Sequence, residues 1–177
     1  MQAPMQTCPV EAGTLDGFQA LFEAKGCPGY CWCAPFRFKN AHTMDRDARR
    51  SAMLDRIGKD VPVGVLAYDG DEPVGWCSVA PRRTFVKLAR SRVMPEVDPD
   101  AWTITCLFVR RDRRRQGVSR KLVDGALRYA RSEGARVVEA YPWDTAGVSS
   151  QHWGHSSLYQ EAGFRREGRT RRWVRHL

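Results

Sequence analysis

The residues best suited to chemistry stand at one joint, Arg114-Arg-Gln-Gly117-Val-Ser119. Arginine supplies charge-assisted donors to phosphate oxygens, and glycine lets the backbone come close to an anion. A helix opening at this point adds unpaired N–H groups and a partial positive charge. Six arginines between Arg110 and Arg120 strengthen the field. A phosphate-bearing ligand is therefore expected. The spacing matches neither the P-loop Gly-x-x-x-x-Gly-Lys-Ser/Thr nor the dinucleotide Gly-x-Gly-x-x-Gly.

Cysteine is the other reactive type. Cys27, Cys31 and Cys33 fall in Gly26-Cys-Pro-Gly-Tyr-Cys-Trp-Cys-Ala-Pro-Phe-Arg37. Cys-x3-Cys-x-Cys is not a zinc pairing and no fourth ligand stands near, so reduced thiols in an aromatic-lined loop and no metal are expected. Cys106 has no legible histidine and Asn/Asp partners, which argues against a cysteine nucleophile.

The elements that must position the joint are readable around it. Ala101 to Val109 is rich in Thr, Ile, Phe and Val and reads as a buried strand. From Val118 the apolar residues Val118, Leu122, Val123, Ala126, Leu127 and Ala130 form one helical stripe, with charged residues opposite. Gly134 is placed to cap that helix, and Arg136 to Tyr141 resumes an extended run. Strand, helix and strand make a βαβ unit with parallel strands and a right-handed crossover.

These residues resemble a known family. Arg114-x-x-Gly117-x-Ser119 is similar to the Arg/Gln-x-x-Gly-x-Gly/Ala signature of the GNAT (GCN5-related) N-acetyltransferases, and Leu158-Tyr159-x-x-x-Gly163-Phe164 resembles their Leu-Tyr-x-x-x-Gly-Phe segment. The resemblance covers roughly residues 60–175. Two departures are Ser119, where Gly or Ala is usual, and His152, where Asn is frequent.

The resemblance implies an α/β fold: a single GNAT-like domain with a mixed central sheet, flanking helices and a βαβ acetyl-CoA core. The acceptor side would occupy about 1–60 and the acetyl-CoA core about 61–177. Acetyl-CoA would be the cosubstrate, its pyrophosphate held by Arg114, Arg115, Gln116, Gly117, Val118, Ser119 and Arg120. Its pantetheine arm would lie along Leu107, Phe108 and Val109, with Phe108 or Val109 N–H polarising the thioester carbonyl. Tyr159 would protonate the departing thiolate, since a phenol matches a thiol in pKa. The base is open among Glu139, Asp144, His152 and a water relay, Glu139 being the residue put forward. Trp32, Trp76 and Trp143 are expected to wall the acceptor side, Phe36 with them. Direct attack by a primary amine of a small molecule or protein is expected.

Composition bounds the alternatives. A chain of 177 residues with 42% hydrophobic and 28% charged content is an ordinary globular domain. No apolar run of about 18 residues is present, and the N-terminus lacks a signal peptide's apolar core. Cytoplasmic placement, no membrane and a monomer or homodimer are expected. The net charge of +9 invites a nucleic-acid partner. Yet 24 of the 29 basic residues are arginines spread along the chain among 20 acids, so no nucleic acid is expected. A CoA-binding regulatory module without turnover is the other alternative.

Elsewhere, helices are expected over Thr14–Lys25 and Met44–Lys59, the second with Met44, Ala48, Met53, Leu54 and Ile57 inward. A hairpin joins Val63–Tyr68 to Pro73–Ala80 through Asp69-Gly-Asp-Glu. A short helix over Arg82–Arg92, a loop to about Ser150, a helix carrying Tyr159 and a last strand over Phe164–Val174 complete the chain.

Overall fold

The computed structural model describes residues 5–145 and 152–177; the end of the loop expected to reach Ser150 lies outside them. One mixed sheet runs β1 (Gln6–Pro9), β2 (Gly64–Asp69), β3 (Glu72–Pro81), β4 (Trp102–Val109), β5 (Val137–Ala140), β7 (Trp173–His176), β6 (Arg165–Arg166). Its helices are α1 (Leu15–Glu23), α2 (Arg46–Gly58), α3 (Val118–Ser132) and α4 (Ser156–Glu161).

β4, α3 and β5 form the expected βαβ unit. Trp102, Thr103 and Ile104 run parallel to Val138, Glu139 and Ala140, and every other pairing is antiparallel. α3 buries Val118, Leu122, Val123, Ala126 and Ala130 of the expected stripe; Leu127 is half-buried, and Gly125 and Tyr129 join the buried face. With α4 it covers one sheet face through Ile104, Leu107, Tyr159 and Phe164. α1 and α2 cover the other, where Phe18, Phe22, Met53 and Ile57 close over Leu66 and Trp76.

The sheet is opened at one place by a bulge. Across β3 and β4 the register steps from Ser78↔Cys106 to Val79↔Ile104, leaving Thr105 as the extra residue. Such a residue bends its strand and re-aims the side chains beyond it. β5 pairing also stops at Ile104, so Thr105 to Val109, the larger part of β4, have no partner in β5.

Some expected elements differ. Asp45 Oδ1 accepts Ala48 N at 2.8 Å, so α2 begins after this cap rather than at Met44, and Ala48 is exposed. Arg82–Arg92 makes two 3-10 turns, Arg82–Thr84 and Leu88–Arg90, instead of one helix. The expected strand over Phe164–Val174 is the hairpin of β6 and β7. Glu167 N bonds Arg172 O at 2.9 Å across its turn, where Gly168 has a φ of 56°.

Candidate functional site

Beyond the bulge, β4 has a strand neighbour on one side only. Arg110 N donates to Val74 O of β3 at 2.9 Å. In an antiparallel ladder each residue turns its N–H and C=O to the same side, alternating along the strand. Phe108 therefore faces β3, and the N–H groups of Leu107 and Val109 face the gap left by β5. Of the two expected donors to a thioester carbonyl, geometry favours Val109 over Phe108.

The chain then turns into α3. Arg111–Arg113 forms a 3-10 turn, Arg115 takes a φ of 63° and Gly117 a φ of 80°. A glycine reaches that left-handed region freely; an arginine there is sparsely populated strain, which tends to gather at binding sites. Gly117 is the N-cap with no side chain over the helix end, so first-turn N–H groups point out of the helix start. The Gln116 amide donates to Asp112 O at 3.1 Å and braces the turn.

The six arginines are not equivalent. Arg110 pairs with Glu72 and with Asp112 at 2.8 Å, Arg113 reaches Asp69 at 3.3 Å, and Arg120 pairs with Glu161. Arg111, Arg114 and Arg115 have no ion pair among the described residues. Arg114 Nε donates to Val109 O at 3.3 Å, bridging strand end and helix start. A pocket of about 290 Å³ at this corner is lined by Val109, Arg114, Arg115, Gly117, Ser119 and Arg120, among others.

It adjoins a larger cleft of about 570 Å³, to which β4 gives Leu107, Phe108 and Val109. Gly26, Cys27, Pro28 and Tyr30 close one side and His152, Gly154, His155 and Leu158 the other. Val109, Arg114, Ser119 and Leu158 line both spaces, so the phosphate corner and the strand edge are continuous.

Tyr159 lies just behind this wall. Its phenol is fully buried and donates to Trp153 O at 2.7 Å, and burial pushes its pKa well above the ordinary value. Gly154 separates it from the cleft: a Cβ there would come within 3.3 Å of the phenol oxygen. His155, which sequence reasoning missed, caps α4. Its Nδ1 accepts Ser157 N at 3.3 Å, and Nε2 stands 3.4 Å from Asp144 Oδ1. The Ser156 N–H holds the Asp144 carboxyl below its ordinary range, with His155 adding to the effect. No local signal announced it, since the usual caps are Ser, Thr, Asp and Asn.

Five expected site residues lie elsewhere. Glu139 is fully buried, accepting from Arg82, from Thr103 Oγ1 at 2.7 Å and from Arg172 Nε at 2.6 Å. Both its oxygens are engaged and none of its surface is exposed, the arrangement of a residue that fastens β4, β5 and the approach to β7 rather than of a base. Trp32 and Trp76 are wholly buried, packed with Phe18 and Phe22 in the core over α1. Trp143 lies under the Arg171 guanidinium, 3.8 Å from its ring centroid. Phe36 packs on Trp153 with centroids 5.2 Å apart. The aromatic rings that do line the cleft are Phe108 and Tyr30, the latter 73% exposed.

A mixed sheet whose central strand opens beside an uncapped helix start is the fold of an acetyltransferase domain. The chain belongs to the acetyltransferase (GNAT) family, whose model matches residues 28–164. Solved structures share the fold at low identity. One is AAC(6')-Iy in complex with the bisubstrate analogue CoA-S-monomethyl-acetylneamine, at 16% identity and a TM-score of 0.57, covering 95% of each chain. A second is a GNAT family acetyltransferase from Brucella melitensis in complex with acetyl-CoA, at 13% identity and 0.53, covering 98% of this chain and 88% of that one. A third is a GCN5-related N-acetyltransferase from Kribbella flavida, at 16% and 0.51; 91% of this chain matches 33% of that one. No curated protein matches the sequence. Among the described residues no helix is long and apolar enough to cross a membrane.

Proposed function

We propose that the chain is an acetyl-CoA-dependent N-acyltransferase in which a primary amine attacks the thioester directly. The observation that carries this reading is the continuity of the phosphate corner with the unpaired edge of β4. A pyrophosphate at Gly117 to Arg120, with Arg114 and Arg115 beside it, leaves the attached arm running along Leu107 to Val109. The Val109 N–H then meets the carbonyl oxygen where negative charge develops; one such donor is typically worth about 10²–10³-fold in rate.

Tyr159 is the candidate acid for the CoA thiolate. Its proton now rests on Trp153 O, so delivery requires the hydroxyl to turn past Gly154 toward the cleft. The amine's proton goes to an imidazole lining the cleft, His152 or His155, or to water beside them. No acyl-enzyme forms in this scheme.

The test combines calorimetric titration with CoA and free-thiol release from acetyl-CoA across small amines and peptide N-termini. Saturable CoA binding with amine-dependent thiol release is expected. Binding without turnover on any amine would mark a CoA-responsive module instead. An acetyl adduct on the chain without acceptor would overturn direct transfer.

A further inference from the structure

The turn after β4 carries more positive charge than one phosphate corner uses, and the surplus lines a space of its own. A pocket of about 720 Å³ opens between the end of α1 and this turn. It shares Gly26, Cys27 and Arg114 with the cleft, and Arg114 with the phosphate corner, so Arg114 borders all three spaces. Lys25, Arg110 and Arg111 are its other cations, and Glu72 and Asp112 its two carboxylates. Lys25 stands where α1 gives way to Gly26, whose φ is 79°, and Arg111 opens the 3-10 turn, so both lie at tight turns of the chain.

The carboxylates are already committed. Glu72 pairs with Arg110 and, at 3.3 Å, with Arg113; Asp112 pairs with Arg110 at 2.8 Å and with Arg113 at 3.6 Å. The hydrogen bond from Arg110 holds the Asp112 carboxyl below its ordinary range, and its bonds to Glu72 and Asp112 raise the Arg110 guanidinium in turn. Lys25 and Arg111 remain, exposed and with no ion pair or side-chain hydrogen bond among the described residues. A lone cation on an open surface is ordinary. Two in one concavity, with its carboxylates neutralised, leave a positive field that the walls focus on an anion.

We propose that Lys25 and Arg111 form a second phosphate subsite, which takes a phosphate monoester. A monoester carries a charge of about −1.5 to −2 near pH 7 and three acceptor oxygens, which suits one ammonium and one guanidinium together. The bridging pyrophosphate assigned to the corner has no such terminal group. The monoester has two sources. CoA bears one on its ribose, at the 3′ carbon. That group lies on the nucleotide side of the pyrophosphate, so a pyrophosphate beside Arg114 brings it next to this space; this source rests on the acetyl-CoA reading. The other source is a phosphate on the acceptor amine, entering from the cleft at Gly26 and Cys27.

The test titrates CoA and 3′-dephospho-CoA into the full chain by calorimetry, for the wild type and for Lys25→Ala combined with Arg111→Ala. Both side chains are exposed, so the variant keeps its core intact. The wild type should bind CoA about tenfold or more tightly than dephospho-CoA at low salt, the preference shrinking as salt rises. The variant should lose the preference and keep its affinity for dephospho-CoA, whereas Arg131→Ala, at the other end of α3, should keep both. Equal binding of the two nucleotides would point to the acceptor as the source. Inorganic phosphate titrated into the chain saturated with dephospho-CoA should then bind, and bind no longer in the variant. A CoA preference that survives both substitutions, or no preference and no phosphate binding lost with them, would overturn the proposal. If neither nucleotide binds, the acetyl-CoA reading itself fails, and the phosphate titration without nucleotide decides the subsite alone.

Discussion

Replacing Glu139 by Gln separates a fastening role from a catalytic one. The carboxylate accepts hydrogen bonds from Arg82, Thr103 and Arg172 with no exposure to solvent. Gln keeps the shape but removes the charge and turns an NH2 toward guanidinium donors. Arg172 keeps Glu167 at 2.6 Å, whereas Arg82 is left with the Tyr141 hydroxyl and the carbonyls of Leu88 and Met94. Removing one partner of a buried ion pair typically costs about 3–5 kcal/mol, against a total stability of about 5–15 kcal/mol. With a urea slope of about 1–3 kcal/mol per molar, the midpoint should fall by about 1 M or more, and Tm by about 6–20 °C. Thr103→Val is the milder companion. It removes one donor to the same carboxylate and should cost about 1.5–3 kcal/mol. Urea denaturation monitored by far-UV circular dichroism reads both, and CoA titration below the transition should find the folded fraction binding normally. An unshifted midpoint with acetyl transfer abolished would refute the argument and return Glu139 to the chemistry.

The remaining expectations concern the cleft and its surroundings. Arg114→Ala combined with Gly117→Ala should raise the CoA dissociation constant about tenfold or more, charge-assisted contacts being worth about 1.5–3 kcal/mol each; calorimetry showing unchanged affinity would displace the phosphate corner. Gly134→Ala and Gly154→Ala form a matched pair, since their φ values are 82° and 78°. At Gly134 an added Cβ meets nothing, leaving only the left-handed cost of about 1–2 kcal/mol. At Gly154 it also stands 2.9 Å from Leu107 Cδ1, adding about 1–3 kcal/mol of overpacking, so equal losses in urea would contradict the packing described. Tyr159→Phe leaves Trp153 O without its donor, which should cost about 1–3 kcal/mol of stability. If the hydroxyl is the acid, kcat should also fall about 10²–10⁴-fold with KM for acetyl-CoA little changed, and full kcat would leave protonation to water.

The legible and the hidden parts of this fold divide along a physical line. α3 was largely legible because a helix writes its buried face as a stripe and its ends as glycines; Tyr129, buried beside Trp102, was not read. That Arg114, Gly117 and Ser119 share one pocket was legible because an arginine, a glycine and a small hydroxyl at a helix start need only local geometry to meet. The acceptor side was not. Trp32 and Trp76 look like pocket walls in a string of letters, yet tryptophan serves a core equally well. Their enclosure by Phe18 and Phe22 on α1 has no local signature. Glu139 misled for the same reason. A lone acid on a strand beside the cofactor strand reads as a base until Arg82 and Arg172, 57 and 33 residues away, arrive to neutralise it. The bulge at Thr105 was hidden as well, being a mismatch between two strands rather than a property of either. At that extra residue β4 has already left β5, whose pairing ends at Ile104, and beyond it the N–H groups of Leu107 and Val109 face an open edge. On the proposed reading, the motif at Arg114 to Ser119 sets where phosphate would be held, and the open edge of β4 sets where an acyl group would lie.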